Sequence, residues 1–314
     1  MFQDLVRGVL ENNHGSISKA ITLIENSQSP PEPFYSDIHK NAFNSIRIGI
    51  TGPPGAGKST LTNSLIELCL AEGKEVGVIA VDPTSPFTGG ALLGDRVRMN
   101  KYAGDRRVFL RSVGNHCALG GLSDKVQEIG DVLAASGKDY VFFETVGVGQ
   151  GEHDIINVAD ISIVVLVPES GDEIQLMKAG LIEIADIFVI NKSDRKGSNR
   201  IASTLKNILH IFKKQDLKEP SVFNTIASKN KGVLELFKGI EIFLRMIDRE
   251  GLLEIRKHER YRKRVLDIIQ NNLKTSFWTS GKQKQLIDLT KNIDETGIAP
   301  HTLAKKLLKD NAQK

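Results

Sequence analysis

The sequence predicts an α/β fold in which a mostly parallel sheet carries helices on both faces, with extra helices at the amino terminus and a helical extension at the carboxyl terminus. Short apolar runs alternate with amphipathic stretches through the middle of the chain, which is typical of parallel strands joined by crossover helices. Residues 163–167 are apolar at every position, which fits a strand buried on both faces. After Gly251 the strand-like runs end and helical patterns follow.

The elements follow in chain order. Residues 1–27 have the pattern of amphipathic helices, and the prolines within 29–33 favour a linker because proline removes helix hydrogen bonds. Strands are predicted at Ser45–Thr51, Glu75–Val81, Tyr140–Phe143, Ile161–Val167, Ile187–Asn191 and Val222–Asn224. Helices are predicted at Ser59–Ala71, Ser123–Ala135, Glu173–Ala179, Asn199–Lys213, Val233–Arg249, Glu254–Asn272 and Thr302–Leu308. These elements suggest amino-terminal helices with a linker (1–40), a central domain (41–250) and a carboxy-terminal extension (251–314).

A glycine-rich phosphate-binding motif follows the first predicted strand. Its pattern, G-x-x-x-x-G-K-[ST], lies between a strand and a helix, which is the context that the motif requires. Backbone N–H groups of such a loop surround phosphate oxygens, and the next helix adds its positive dipole end. Lys58 is expected to reach the β- and γ-phosphates, and the Ser59 hydroxyl is expected to bind Mg²⁺. The predicted phosphate-binding residues are Gly52, Pro53, Pro54, Gly55, Ala56, Gly57, Lys58, Ser59 and Thr60.

A second motif indicates which base is bound. Asn191, Lys192 and Asp194 form the pattern N-K-x-D directly after an apolar strand. A carboxylate only accepts hydrogen bonds, so Asp194 can pair with the N1–H and 2-amino donors of guanine, which adenine lacks. Adenine would leave Asp194 unpaired, at a cost in free energy. Lys192 is expected to pack its stem along the base. The two motifs together predict a sheet of the P-loop GTPase type.

Carboxylates near strand ends are candidate Mg²⁺ ligands. Glu144 ends a predicted strand where a D-x-x-G motif usually has aspartate, Asp82 ends the second strand, and Asp95 lies in the loop after it. Mg²⁺ prefers a few hard oxygen ligands and keeps several waters, so these carboxylates with Ser59 are more than one ion needs at one time. A turn-forming role remains the alternative for Asp82 and Asp95.

Two further residues after Glu144 are candidates for hydrolysis. Gly147 has a backbone N–H that can meet a γ-phosphate. Gln150 either orients the attacking water or is a polar side chain of a surface loop. Lys58, Glu144 and Gln150 are therefore the predicted catalytic residues.

Composition excludes several other classes of protein. The 314 residues carry a formal net charge of +4, too little to indicate a nucleic-acid partner. Cys69 and Cys117 form neither a disulfide framework nor a metal-type spacing, which fits a reducing cytoplasm. Charged residues interrupt the first apolar stretch, so no signal peptide is expected, and no apolar run is long enough to span a membrane. The basic pattern of 254–272 is either a solvated helix face or a surface for another subunit.

Together these residues resemble the MeaB/ArgK class of P-loop GTPases, the chaperones of adenosylcobalamin-dependent methylmalonyl-CoA mutase. The matching segments are GPPGAGKST, VDPTSPFTGGALLGDRVRM, LGGLS, ETVGVGQ, GDEIQLMKAGLIEIADIFVINKSD and KAITLIENS. They cover most of the chain from Ser18 to Asp194. The resemblance implies GTP or GDP with Mg²⁺ as ligands, an acyl-CoA mutase as partner, and a homodimer held partly by the carboxy-terminal helices.

The resemblance also implies roles for residues outside the two motifs. Asp172, Glu173, Gln175 and Lys178 match an extra switch through which the mutase senses the nucleotide. A solvated helix face is the alternative for these charged residues. Ile226, Ala227 and Ser228 stand where a Ser-Ala-x base-contact loop is expected, and isoleucine replaces the serine. The backbone contact of Ala227 is therefore the part of that loop that carries over.

The favoured function is a chaperone that binds and hydrolyses GTP and thereby gates adenosylcobalamin loading or protection of an acyl-CoA mutase. The chain has no D-x-H-x-x-G motif, so cobalamin is expected to bind to the mutase and not to this chain. A kinase associated with a transport system is one alternative, but it needs a phosphoacceptor and a membrane context. A metallochaperone-type GTPase is the other, and it would be favoured by His-rich runs or a Cys-x-x-Cys pattern, which the sequence lacks.

Overall fold

A computed structural model describes residues 2–26, 31–83, 101–102, 104–115, 125–145, 154–170, 181–212, 220–291 and 297–309. The chain divides into two compact units, Met1–Glu254 and Ile255–Lys314. The first unit contains the sheet and the predicted nucleotide site.

The sheet has seven described strands, and every pairing between them is parallel. The strands are β1 (Ile46–Thr51), β2 (Val76–Pro83), β3 (Val108–Asn115), β4 (Tyr140–Glu144), β5 (Ile161–Leu166), β6 (Ile187–Ile190) and β7 (Ser221–Asn224). Their order across the sheet is β3-β2-β4-β1-β5-β6-β7. The predicted α/β class with a parallel sheet is confirmed.

Helices cover both faces of this sheet. In the first unit they are α1 (Phe2–Leu10), α2 (His14–Asn26), α3 (Glu32–His39), α4 (Lys58–Ala71), α5 (Val126–Ala135), α6 (Leu181–Ile184), α7 (Ser198–Phe212) and α8 (Val233–Arg249); α9 (Leu252–Phe277), α10 (Ser280–Leu289) and α11 (Pro300–Lys309) follow along the chain. Leu65 of α4 and Leu236 of α8 pack with Ile50 of β1 in one apolar cluster. Ile21 of α2 and Ile129 of α5 pack with other sheet residues in a second cluster, which also includes α1 and α3.

A buried ion pair joins β1 to α5. The side chain of Arg47 is fully buried and contacts Asp131, which also lies 3.7 Å from His39 of α3. The Arg47 backbone N–H donates to the Asp160 carboxylate at 2.8 Å. Burial by itself raises the pKa of Asp131, but the charges of Arg47 and His39 outweigh it and hold that pKa below its usual value.

Four of the described strands and α-helices differ from the sequence prediction. Strand β3 was not predicted, because Arg111 and Ser112 interrupt its apolar pattern; Arg111 pairs with Glu25 of α2 and so remains inside the fold. The linker prediction is wrong for 31–33, where α3 begins with Pro31 as its N-cap, since proline is tolerated in the first turn of a helix. Helices α6 and α10 were also not predicted. The predicted helix Glu173–Ala179 lies outside the described residues.

The second unit is made of helices. The end of α9 packs with α10 and α11 around an apolar cavity of about 420 Å³, which Phe277, Trp278 and Leu303 help to line. In the part of the chain that the structure describes, every helix is too short or too polar to cross a lipid bilayer.

Candidate functional site

The site lies where the chain changes direction across the sheet. Strand β1 pairs with β4 on one side and with β5 on the other, and later strands continue outward on each side. In parallel sheets, ligands bind at the carboxyl ends of strands beside such a switch point. The segments that follow β1, β4 and β6 all leave the sheet at this edge, and they contain the three predicted motifs.

The phosphate loop connects β1 to α4 with a backbone that needs glycine. Gly52 has φ 132° and Gly57 has φ 88°, values that side chains rarely allow. A Cβ atom on Gly52 would collide with the Val165 carbonyl of β5, and one on Gly57 would collide with the Asn191 side chain. Glycine is therefore required at both positions for the loop to lie against β5 and the N-K-x-D segment.

Lys58 and the start of α4 give the loop its positive potential. Lys58 is buried, and its Nζ donates to the carbonyl oxygens of Gly52 at 2.6 Å and Pro53 at 3.0 Å. The ammonium group thus lies on the inner side of the loop. The 14-residue helix begins at Lys58, so its amino-terminal dipole also faces this loop. Both features favour a bound anion.

Ser59 and Glu144, two of the predicted metal ligands, lie in contact; their role at a metal stays a prediction. The Ser59 hydroxyl donates a hydrogen bond to Oε1 of Glu144, whose side chain is buried at the end of β4. A hydroxyl and a carboxylate in contact are the hard oxygen donors that Mg²⁺ prefers beside nucleotide phosphates, so the residues fit the ion. The backbone of Asp82 lies at the carboxyl end of β2, its side chain is outside the described part, and Asp95 is outside it altogether.

Two threonines that the sequence motifs do not mark lie next to these ligands. The Thr145 hydroxyl donates to the Thr51 hydroxyl at 2.9 Å, and both side chains are buried. Thr51 precedes the phosphate loop, and Thr145 follows Glu144. The signal in the sequence is only their position beside the two motifs.

Asn191 joins the base-recognition segment to the phosphate loop. Its Nδ2 donates to the Ala56 carbonyl oxygen at 2.9 Å. Its Oδ1 accepts from the Thr225 hydroxyl at 3.1 Å and from the Ala227 backbone N–H at 3.0 Å. One buried amide therefore connects the segments after β1, β6 and β7. The sequence motif includes Asn191, but it does not reveal these partners.

Lys192 and Asp194 occupy the rim of the same site. Lys192 has φ 55°, and its Nζ donates to the Gly55 carbonyl oxygen at 2.7 Å. Asp194 is exposed, and its carboxylate accepts from Lys229 Nζ at 3.3 Å. The predicted stacking of Lys192 along a base and the pairing of Asp194 with guanine stay predictions.

The base-contact loop is held by the phosphate-loop helix. Ala227 is buried in a 3-10 turn, Ser228 is exposed, and Ile226 forms an isolated bridge with Lys231. The Ser64 hydroxyl of α4 donates to Asn230 Oδ1 at 2.7 Å and contacts the Ala227 carbonyl oxygen at 3.3 Å. The Ala227 backbone N–H donates to Asn191. The expected contact of the Ala227 backbone with the base would therefore be an additional interaction.

Several predicted residues lie outside the described part of the chain. They are Asp95, Gly147, Gln150, Asp172, Glu173, Gln175 and Lys178. Among the described residues that have a charged partner, Glu169 lies nearest in the sequence to the predicted switch. It contacts Arg195, which is the residue directly after Asp194. The hydrogen bond from Arg195 lowers the pKa of Glu169.

Known proteins resemble this chain over most of its length. The family model described as methylmalonyl-CoA mutase-associated GTPase MeaB matches residues 17–282. A Pyrococcus abyssi protein that carries a GTPase description is 39% identical over 99% of this chain and 97% of its own. GTPase ArgK of Escherichia coli is 36% identical over 79% of this chain and 78% of its own. The mitochondrial methylmalonic aciduria type A homolog of Mus musculus is 28% identical over 97% of this chain and 78% of its own.

A solved structure supports the same fold. The crystal structure described as LAO/AO transport system kinase aligns with a TM-score of 0.75 at 24% identity, and the alignment covers 100% of this chain and 98% of that one. At this identity, the likeness concerns the fold and not the activity.

Proposed function

The chain belongs to the family of methylmalonyl-CoA mutase-associated GTPases, and on that premise we propose that its GTPase cycle gates adenosylcobalamin loading or protection of an acyl-CoA mutase. The chain is a P-loop GTPase. The observation that carries the proposal is the joining of the phosphate loop to the N-K-x-D segment through Asn191, within a chain that the family model matches over residues 17–282.

We assign hydrolysis to the residues at the carboxyl ends of β1 and β4. The loop 52–60 would surround the phosphates with backbone N–H groups, and Lys58 would exchange its loop carbonyl oxygens for β- and γ-phosphate oxygens. Ser59 and Glu144 would hold Mg²⁺, which would supply positive charge next to the transferring phosphoryl group. Gly147 and Gln150 are assigned to the γ-phosphate and the attacking water.

Base selection is assigned to Asp194. Its carboxylate is exposed at the rim and can accept hydrogen bonds from guanine while Lys229 holds one oxygen. Lys192, Ile226, Ala227 and Ser228 would line the base. GTP and GDP are therefore the proposed nucleotides.

The remaining assignments concern the partner. The segment with Asp172, Glu173, Gln175 and Lys178 would couple the bound nucleotide to the mutase, which itself would hold the cobalamin. The carboxy-terminal extension would form a homodimer, and exposed apolar side chains on α9 such as Leu266, Ile269 and Leu273 support this. We place the protein in the cytoplasm, without a nucleic-acid or membrane partner. No contact among the described residues favours a transport-linked kinase or a metallochaperone, so neither is adopted.

Stimulation of hydrolysis by a mutase tests the proposal. A purified adenosylcobalamin-dependent acyl-CoA mutase should raise the GTP turnover of the wild-type protein. Lys178→Ala should abolish that increase and leave basal turnover nearly intact, because the residue would act only when the partner is bound. Lys238→Ala, which changes an exposed lysine on α8, is the matched control and should respond as the wild type does. Equal stimulation of both variants would reject the switch role, and no stimulation of the wild type would reject the chaperone role.

A further inference from the structure

Two buried threonines next to the phosphate loop are joined by a hydrogen bond. Thr51 is the last residue of β1, and Thr145 is the first residue after β4. Their hydroxyls form a hydrogen bond of 2.9 Å, in which Thr145 is the donor. The Thr145 backbone N–H also donates to the Ile50 carbonyl oxygen at 3.1 Å. The pairing of β4 with β1 therefore extends one residue beyond the end of β4.

The threonine pair and Glu144 lie on opposite faces of the sheet. Ile50 pairs in register with Glu144 and packs in the apolar cluster that contains α4. Thr51 pairs in register with Val164, which packs in a different cluster, against α7. Because side chains alternate between the faces of a strand, Thr51 and Thr145 point away from the α4 side.

The two ends of the phosphate loop thus hold two consecutive residues. Ser59, at the end of the loop, contacts Glu144 on the α4 side. Thr51, before the loop, contacts Thr145 on the other side. A backbone that is held from both faces resists rotation about the strand axis. The direction of the Glu144 carboxylate consequently depends on the contact that Thr145 makes.

We propose that the Thr51–Thr145 hydroxyl pair is a positioning device for GTP hydrolysis, which fixes the backbone at Glu144 so that its carboxylate faces Ser59 and the cation held there. The inference rests on the proposed role of Ser59 and Glu144 in binding Mg²⁺. The threonines are positioning residues, since they act through Glu144. A misplacement of about 1 Å that a mutation away from the reacting atoms causes can cost up to about 100-fold in rate, so losing the contact should lower kcat by about 10- to 100-fold.

The first comparison changes the hydroxyl and the methyl group of Thr145 separately. Thr145→Val removes the hydroxyl, and Thr145→Ser retains it. GDP affinity is measured by calorimetry with and without Mg²⁺, together with kcat for GTP. We expect Thr145→Val to lose most of the Mg²⁺-dependent tightening of GDP binding and to keep its Mg²⁺-free affinity within about twofold, since the loop and base contacts remain. Thr145→Ser should recover both Mg²⁺ tightening and kcat.

The second comparison separates positioning from folding stability. Thr145→Val leaves the buried Thr51 hydroxyl without its donor, whereas replacing both partners by apolar groups of similar shape is close to neutral for folding. The double variant Thr51→Val with Thr145→Val should therefore unfold near the wild-type temperature and still hydrolyse GTP slowly. If kcat and the Mg²⁺ effect return together with stability, the pair has only a structural role and the inference is overturned.

Glu144→Gln separates a failure of the positioning role from a failure of the proposed Mg²⁺ role of Glu144, and Ser136→Ala serves as the control. Glu144→Gln should weaken the Mg²⁺ effect directly; if it does not, the metal role of Glu144 fails and the positioning role fails with it. If Glu144→Gln abolishes the effect and Thr145→Val leaves it intact, only the positioning role is wrong. Ser136→Ala is the control, because Ser136, the C-cap residue of α5, also has a buried hydroxyl, which donates to the Leu133 carbonyl oxygen at 2.7 Å. It should leave kcat and the Mg²⁺ effect unchanged.

Discussion

Removing the amide of Asn191 should damage stability and nucleotide binding together. The side chain is buried and makes three hydrogen bonds, to the Ala56 carbonyl oxygen, the Thr225 hydroxyl and the Ala227 N–H. Asn191→Ala leaves these three groups without that partner. Each lost hydrogen bond is worth about 1 kcal/mol, so the free energy of unfolding should fall by about 3 kcal/mol. GTP and GDP should both bind more weakly, because the phosphate loop and the base-contact loop lose their common partner.

Urea denaturation and calorimetric titration with GDP measure the two effects. Asn199→Ala, which changes an exposed asparagine in α7, is the control and should alter stability by less than about 0.5 kcal/mol. Lys192→Ala removes one partly exposed contact to Gly55 and should cost less stability than Asn191→Ala does. A loss below about 1 kcal/mol for Asn191→Ala would show that the three bonds do not hold the segments together.

Four further variants test the candidate site and the buried ion pair. Asp194→Asn replaces an acceptor oxygen by a donor group, so GTP affinity should weaken by about 1–3 kcal/mol and xanthosine triphosphate should bind better than to the wild type; unchanged affinities for both would contradict base recognition by Asp194. Lys58→Ala should nearly abolish GTP turnover, and Glu144→Gln should slow turnover more than it weakens nucleotide binding, since electrostatic stabilisation supplies most of the rate; wild-type turnover by the lysine variant would rule out the phosphate-loop assignment. The pKa of Asp131 is lowered in the folded state, so its ion pair with Arg47 should stabilise the fold above about pH 4 and lose that effect as pH falls through the folded pKa. Asp131→Asn should therefore cost about 3 kcal/mol at pH 7 in urea denaturation and flatten the loss of stability in acid; an unchanged acid profile would contradict the role of the pair.

The sequence predicts elements best where a pattern is local. The strands at 46–51, 161–166 and 187–190 are mostly apolar, as parallel strands buried on both faces usually are, and all three lie within the predicted ranges. Strand β3 was missed because its pattern contains Arg111, whose charge becomes acceptable only when Glu25 of α2 is beside it. The start of α3 was missed because closely spaced prolines, such as Pro31 and Pro33, are compatible both with a linker and with the start of a helix.

The candidate site shows the same division. The phosphate loop and the N-K-x-D segment were predictable, because the chemistry of phosphate and guanine requires those residue types at those spacings. The contacts of Ser64 with Asn230, Thr51 with Thr145, and Lys229 with Asp194 join residues that are 166, 94 and 35 positions apart. Threonine and serine are common residues, so nothing in their spacing indicates which of them will meet.

By itself, the sequence determined the α/β class, the phosphate loop, the guanine motif and the family resemblance, because each depends on the order of neighbouring residues. Only the tertiary structure decided that Asn191 joins three segments, that the last residue of β4 and the residue after it contact the two ends of the phosphate loop, and that the amino-terminal helices cover one face of the sheet. These features follow from the order of strands across the sheet, β3-β2-β4-β1-β5-β6-β7, which brings distant segments to one edge. Strand order is set by the packing of the whole domain, and no short stretch of sequence contains it.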